Sequence, residues 1–131
     1  MQEQINLQEW NLLQALQERA AKIRQLEAQA EDYLEKKDVA SYKELLQQKA
    51  EILENISQEL EPWVSLELAQ EPTLLQEVLA HLQGFSQRAA QALELGSVFF
   101  MRMLLYPEDY IQGQPNDLEK FLSDLEKRLG Q

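Results

Sequence analysis

Apolar residues return along this chain at intervals alternating between three and four, the spacing that lines side chains along one face of an α-helix. In the N-terminal segment Ile5, Leu12, Leu16, Ile23, Leu26, Ala30 and Tyr33 keep that rhythm, and Leu13, Ala20 and Leu34 widen the stripe on one side. A stripe this wide belongs to a bundle helix, and Glu9 and Arg19 interrupt it, so it is not a continuous coiled-coil seam. The pattern predicts a helix over residues 6–36, about 45 Å long at 1.5 Å per residue.

Lys36-Lys37-Asp38 then predicts a hinge: two cations suit a helix C-terminus, and Asp38 can cap the helix that follows. Val39, Tyr42, Leu46, Leu53, Ile56 and Leu60, with Leu45 and Ile52 beside them, predict a second helix over 39–61. Lys49 falls on the same line and is expected to pack its stem and carry its ammonium out to water. So short a connection between two stripes predicts an antiparallel helical hairpin.

Pro62 removes a helix hydrogen bond and disfavours the helical conformation of the residue before it, so a kink or break is expected there. A short helical turn follows at Trp63-Val64-Ser65-Leu66, and Pro72 suits the first turn of a third helix. The longest regular pattern comes next: Leu75, Val78, Leu82, Phe85, Ala89, Ala92, Gly96, Phe99, Met103 and Tyr106 predict one helix over 72–106. Gly96 inside it costs about 1 kcal/mol relative to alanine, which close approach of another backbone would offset. Pro107 and Ile111-Gln112-Gly113-Gln114-Pro115 end the helix in a loop. Asn116 with Glu119 three residues on reads as a capping box for a last helix over 117–129. No sustained period-two alternation and no Asn-Gly or Asp-Gly turn predicts a strand. The fold class is all-α: one domain over 1–131, an antiparallel bundle with a long N-terminal hairpin, a long third helix and a short C-terminal helix.

At 131 residues such a bundle can bury a core without staples. The charge of −11 changes the picture of its partners. Nucleic acid requires a basic face, and no basic run exceeds Lys36-Lys37, so nucleic-acid binding is not expected. Between Ala50 and Gln87 there is no Lys or Arg, while seven glutamates from Glu51 to Glu77 fall there. That stretch reads as a solvated acidic face, or as a face for a basic partner. No apolar run approaches the ~20 residues of a membrane span. Met1-Gln2-Glu3-Gln4 offers neither the basic nor the apolar region of a secretory signal, so a cytoplasmic location is expected.

Candidate chemistry is sparse. Cysteine is absent, which removes thiolate nucleophiles and Cys-ligated metal. A di-metal bundle site would need Glu-x-x-His on two helices; the one histidine, His81, has Val78 three residues before it. Nor does His81 find a serine–carboxylate set or a glycine-rich phosphate loop around it. No catalytic residue, cofactor or metal is expected, and the chain reads as non-enzymatic.

The most informative stretch is Val98-Phe99-Phe100-Met101-Arg102-Met103-Leu104-Leu105-Tyr106, apolar or aromatic at eight of nine positions. A helix apolar almost all round needs a second cover besides its own core. Val98, Phe99, Phe100, Met101, Met103, Leu104 and Tyr106 are therefore candidate partner-binding residues. Leu118, Phe121, Leu122 and Leu125 of the last helix join them as a displaceable cover of the same strip. The partner is either an amphipathic helix of a client protein or a second copy, the latter making the chain a structural homodimer.

This organisation is similar to small acidic helical flagellar export chaperones of the hook–filament junction and filament-cap type. The resemblance lies in Tyr33-Leu34-Glu35-Lys36-Lys37-Asp38-Val39-Ala40-Ser41-Tyr42-Lys43-Glu44-Leu45-Leu46-Gln47-Gln48-Lys49. It looks like that family's long helix, short acidic turn and leucine pair followed by lysine, and Tyr110 to Pro115 echoes its C-terminal tyrosine-to-glycine ending. About half the chain is covered. Gln91-Ala92-Leu93-Glu94 stands where the family carries an asparagine-rich patch. The resemblance implies a cytoplasmic chaperone that shields the amphipathic terminal helix of an export substrate.

Overall fold

The computed structural model describes residues 10–130. Five helices follow one another: α1 (Asn11–Glu35), α2 (Val39–Glu67), α3 (Pro72–Leu95), α4 (Val98–Met103) and α5 (Asp117–Leu129), with no strand among the described residues. The turn of α1 expected from Asn6, together with Ile5 and Glu9, lies outside the described residues.

The N-terminal hairpin forms as the stripes require. Lys37 takes a left-handed φ of 62°, which reverses the chain in three residues. Asp38 caps α2, accepting from the Ser41 amide at 3.1 Å and the Ser41 hydroxyl at 2.7 Å. Arg19 pairs with Glu59 at 3.0 Å and Glu27 with Lys49 at 3.0 Å, so α1 and α2 run antiparallel. At the far end the Glu67 carboxylate accepts from the Asn11 and Leu12 amides at 2.9 and 2.8 Å, closing the first turn of α1 from across the bundle.

Two expected boundaries are corrected. Pro62 does not end α2, which continues to Glu67. Leu60, Val64 and Leu68 stay on one buried face. Burial of that face outweighs the one backbone hydrogen bond that proline removes. The long third helix, by contrast, is two helices. Gly96 takes φ 61° as the C-cap of α3, its amide bonding to Leu93 O and that of Ser97 to Ala92 O. The Ser97 hydroxyl then accepts from the Phe100 amide at 3.1 Å and starts α4. A Cβ on Gly96 would meet nothing within 4 Å. Gly96 therefore serves a left-handed turn and not a close backbone approach.

α3 returns antiparallel to α2. The Ser86 hydroxyl accepts from the Ser57 amide and donates to the Leu53 carbonyl, both at 3.1 Å, so a side chain of α3 bridges one rung of the α2 ladder. α5 then runs antiparallel to α3: Phe121 packs edge-on to Phe85 at 5.9 Å and Arg128 pairs with Glu77. Its capping box is complete, with Asn116 and Glu119 bonded reciprocally at 2.8 and 2.9 Å. The result is an up-down-up-down bundle with a short fourth helix, and α4 lies across its end.

The core is one cluster running from Leu12 through Leu53, Ile56, Leu82 and Met101 to Leu125. The tip of the α1–α2 hairpin projects beyond it. Tyr33, Leu34 and Val39, placed on the core stripes by their spacing, are exposed, as is every residue from 31 to 40. α3 stops at Leu95, and α4 turns off over Lys49, so among the described residues no helix faces that tip.

Candidate docking surface

α4 has six residues, far too few to hold a helix in water alone. Two side chains anchor it. Met101 inserts fully into the core. From beneath, the Lys49 ammonium donates to the Arg102 carbonyl at 2.9 Å and pairs with Glu27 at 3.0 Å. Lys49 was expected to reach water, but it is completely buried. α4 folds over it and supplies the acceptor that water would have provided.

Around this lysine a polar cluster extends across the bundle. The Tyr106 hydroxyl donates to Glu27 at 2.7 Å, and its ring lies 5.1 Å from the Lys49 nitrogen. Arg24 donates to the Tyr106 oxygen at 3.3 Å and forks onto Glu119 at 2.9 and 2.7 Å. It also donates to the Gln114 carbonyl at 3.2 Å. Burial pushes the Lys49 pKa down, with the Glu27 carboxylate opposing. Burial, then the hydrogen bond and charge of Glu27, push the Tyr106 phenol up. The hydrogen bond to Glu119 holds the Arg24 guanidinium firmly charged and lowers the Glu119 pKa. These groups satisfy one another, which is what a buried polar cluster must do.

Above this support lies an open groove of about 480 Å³ between the last turns of α3, α4 and the segment 104–107. Ala92, Leu95, Phe100, Met103 and Tyr106 line it, with Arg88 and Asp117 among its charged neighbours. Leu95 is 67% exposed, Phe99 63% and Phe100 49%. Phe99 and Phe100 pack edge-on to each other at 5.7 Å, a pair turned to solvent.

The strip singled out by its composition is thus divided. Phe99 and Phe100 face outward, Val98, Met103 and Tyr106 are half-buried, and Met101, Leu104 and Leu105 belong to the core. Of the last helix, Leu118, Leu122 and Leu125 are buried and Phe121 is half-buried. α5 does not lie along the strip as a cover. It packs on α1 and α3, and its Asp117 amide bonds the Leu105 carbonyl at 2.9 Å where the chain enters the helix. Leu95, Glu27 and Arg24 were not among the expected site residues. The adjacent Gly96-Ser97 pair, a C-cap followed by an N-cap, was the local signal for the break that exposes Leu95.

His81 lies about two turns before Arg88 on the same face of α3, stacked on Phe121 at 5.0 Å, with its Nδ1 3.0 Å from the Glu77 carbonyl. Among the described residues no group of three or more His, Asp or Glu side chains could hold a metal ion, and no helix is long and apolar enough to cross a membrane. No family model, curated protein or solved structure matches the chain.

Proposed function

We propose that this protein is a non-enzymatic helix-binding module acting as an export or assembly chaperone. Its docking surface is the groove between α3, α4 and residues 104–107. The observation that carries this reading is the outward-facing set Leu95, Phe99 and Phe100 beside an open apolar groove. Apolar clusters rimmed by polar residues mark interaction sites, and a groove of this kind takes a helix through anchors at positions i, i+3 or i+4, and i+7. Met103 gives the wall an adaptable side chain.

The occupant we assign is an amphipathic helix of another protein with a basic polar face. The chain carries −11, and exposed Glu94, Glu108 and Asp109 stand next to the groove residues in sequence. That charge attracts a basic partner and opposes a second copy. The similarity to flagellar export chaperones supports the same class of partner.

A library of helical peptides displayed on phage and selected on the full chain tests the proposal. Enriched peptides should share spaced apolar anchors, carry Lys or Arg on the polar face, and lose binding to Phe100→Asp. Absence of any binder sensitive to that substitution would overturn the docking reading. A stable dimer in sedimentation equilibrium, dissociated by Phe100→Asp, would put the homodimer in its place.

A further inference from the structure

We propose that Lys49 is the positioning residue of the docking groove: by bonding the C-terminal backbone of α4 from α2, it sets where Phe100 and Met103 stand against α3. The inference rests on the docking reading for what the groove does, and on geometry for how the groove is held.

A helix ends with backbone carbonyls that have no partner within the helix, and a cation there is favourable. Met103 is the last residue of α4, and the Lys49 ammonium reaches the carbonyl of the residue before it, at 2.9 Å. The other groups facing that ammonium are Glu27 and Arg24 from α1, Arg102 from α4 and the Tyr106 ring beyond it. Glu27 neutralises the lysine, and the Tyr106 hydroxyl occupies the second carboxylate oxygen. The hairpin of α1 and α2 thus presents one directed donor to the end of a six-residue helix.

Position 49 lies on the apolar stripe of α2, where a leucine or methionine would be the ordinary choice. Replacing a buried ion pair by well-packed apolar residues is often neutral or stabilising. Core packing alone therefore gives no reason for a lysine. A carbonyl that must be held at one place does.

Hydrogen exchange on the full chain, comparing wild type with Lys49→Met, tests this. Methionine keeps the unbranched shape and helix propensity of the side chain, one atom shorter, and removes its donors. The amides of Met101, Leu104 and Tyr106, bonded to Ser97, Phe100 and Met103, should exchange at least tenfold faster. Amides at the centre of α2 and α3 should stay within about twofold. Unchanged α4 exchange, or a uniform rise over all five helices, would overturn the inference and leave Lys49 as a core residue. Should Lys49→Met fail to fold, Glu27→Gln serves in the same experiment. Its amide oxygen still accepts one bond while the ion pair is lost, so a smaller but still α4-selective rise is expected. The docking reading fails separately, if peptides bind wild type and Phe100→Asp alike while the exchange result stands.

Discussion

The Tyr106 hydroxyl donates a 2.7 Å hydrogen bond to the Glu27 carboxylate while the Tyr106 ring shields Lys49, the cation paired with that same carboxylate. One side chain therefore closes the polar cluster on two sides. It also joins the segment after α4 to the first helix, 79 residues earlier in the chain. This is how a groove built from α3 and α4 depends on the hairpin.

Removing that hydroxyl in Tyr106→Phe should destabilise the protein by about 1–3 kcal/mol at neutral pH, since Glu27 loses a buried partner. The pH dependence separates this from packing. The folded phenol ionises above its ordinary value of 10.0. The advantage of wild type over the variant is thus present below pH 10 and lost as pH rises through the folded value. Urea unfolding from pH 8 to 11 measures it; a difference constant over that range would contradict the assignment.

Gly84 within α3 and Gly96 at its C-cap should respond in opposite directions. Gly96→Ala places a Cβ at φ 61°, which costs about 1–2 kcal/mol although the space is free. Gly84 is in the helix interior, where alanine gains about 1 kcal/mol. Its new Cβ would lie 3.3 Å from the Arg88 guanidinium, the far end of an exposed flexible side chain that can shift. Chemical denaturation midpoints should fall for Gly96→Ala and rise for Gly84→Ala. Loss of stability in both would show that Arg88 is held over Gly84.

Glu119 should contribute on the acid side. Its hydrogen bond with Arg24 lowers its pKa below the ordinary 4.5, so its stabilisation is present above that value and lost as pH falls through the folded one. Glu119→Gln keeps the capping box, because glutamine also serves at that position, and removes the charge together with one of the two oxygens that accept from Arg24. The cost near pH 7 should be about 1 kcal/mol after solvent screening of a partly exposed pair. It should shrink towards zero as pH falls below 4.5 and through the folded value. A gap independent of pH would mean that the carboxylate charge contributes nothing.

Much of the architecture was legible in the order of residues. Stripes of period near 3.6, Asp38 and Asn116 at cap positions and Pro72 at a first turn specify helices through interactions a few residues apart, and those formed as expected. The helix end expected before Pro62 and the unbroken helix expected through Gly96 both failed, for opposite reasons. At Pro62 the local cost is real, but burial of Leu60, Val64 and Leu68 against distant helices exceeds it. At Gly96 the apolar period continues past a residue whose backbone turns left-handed, because spacing records the faces of residues and not the direction of the chain.

The sequence by itself determined the all-α class, the antiparallel hairpin, the capped last helix and the apolar excess between Val98 and Tyr106. Tertiary structure alone decided which of those residues face solvent, that α5 seals α1 and α3, and that Lys49 is buried beneath α4. Periodicity and capping are short-range properties written within a few residues. The partners of a buried charge are contributed by residues 22 to 57 positions away in the chain, and only the folded bundle brings Glu27, Arg102 and Tyr106 to Lys49.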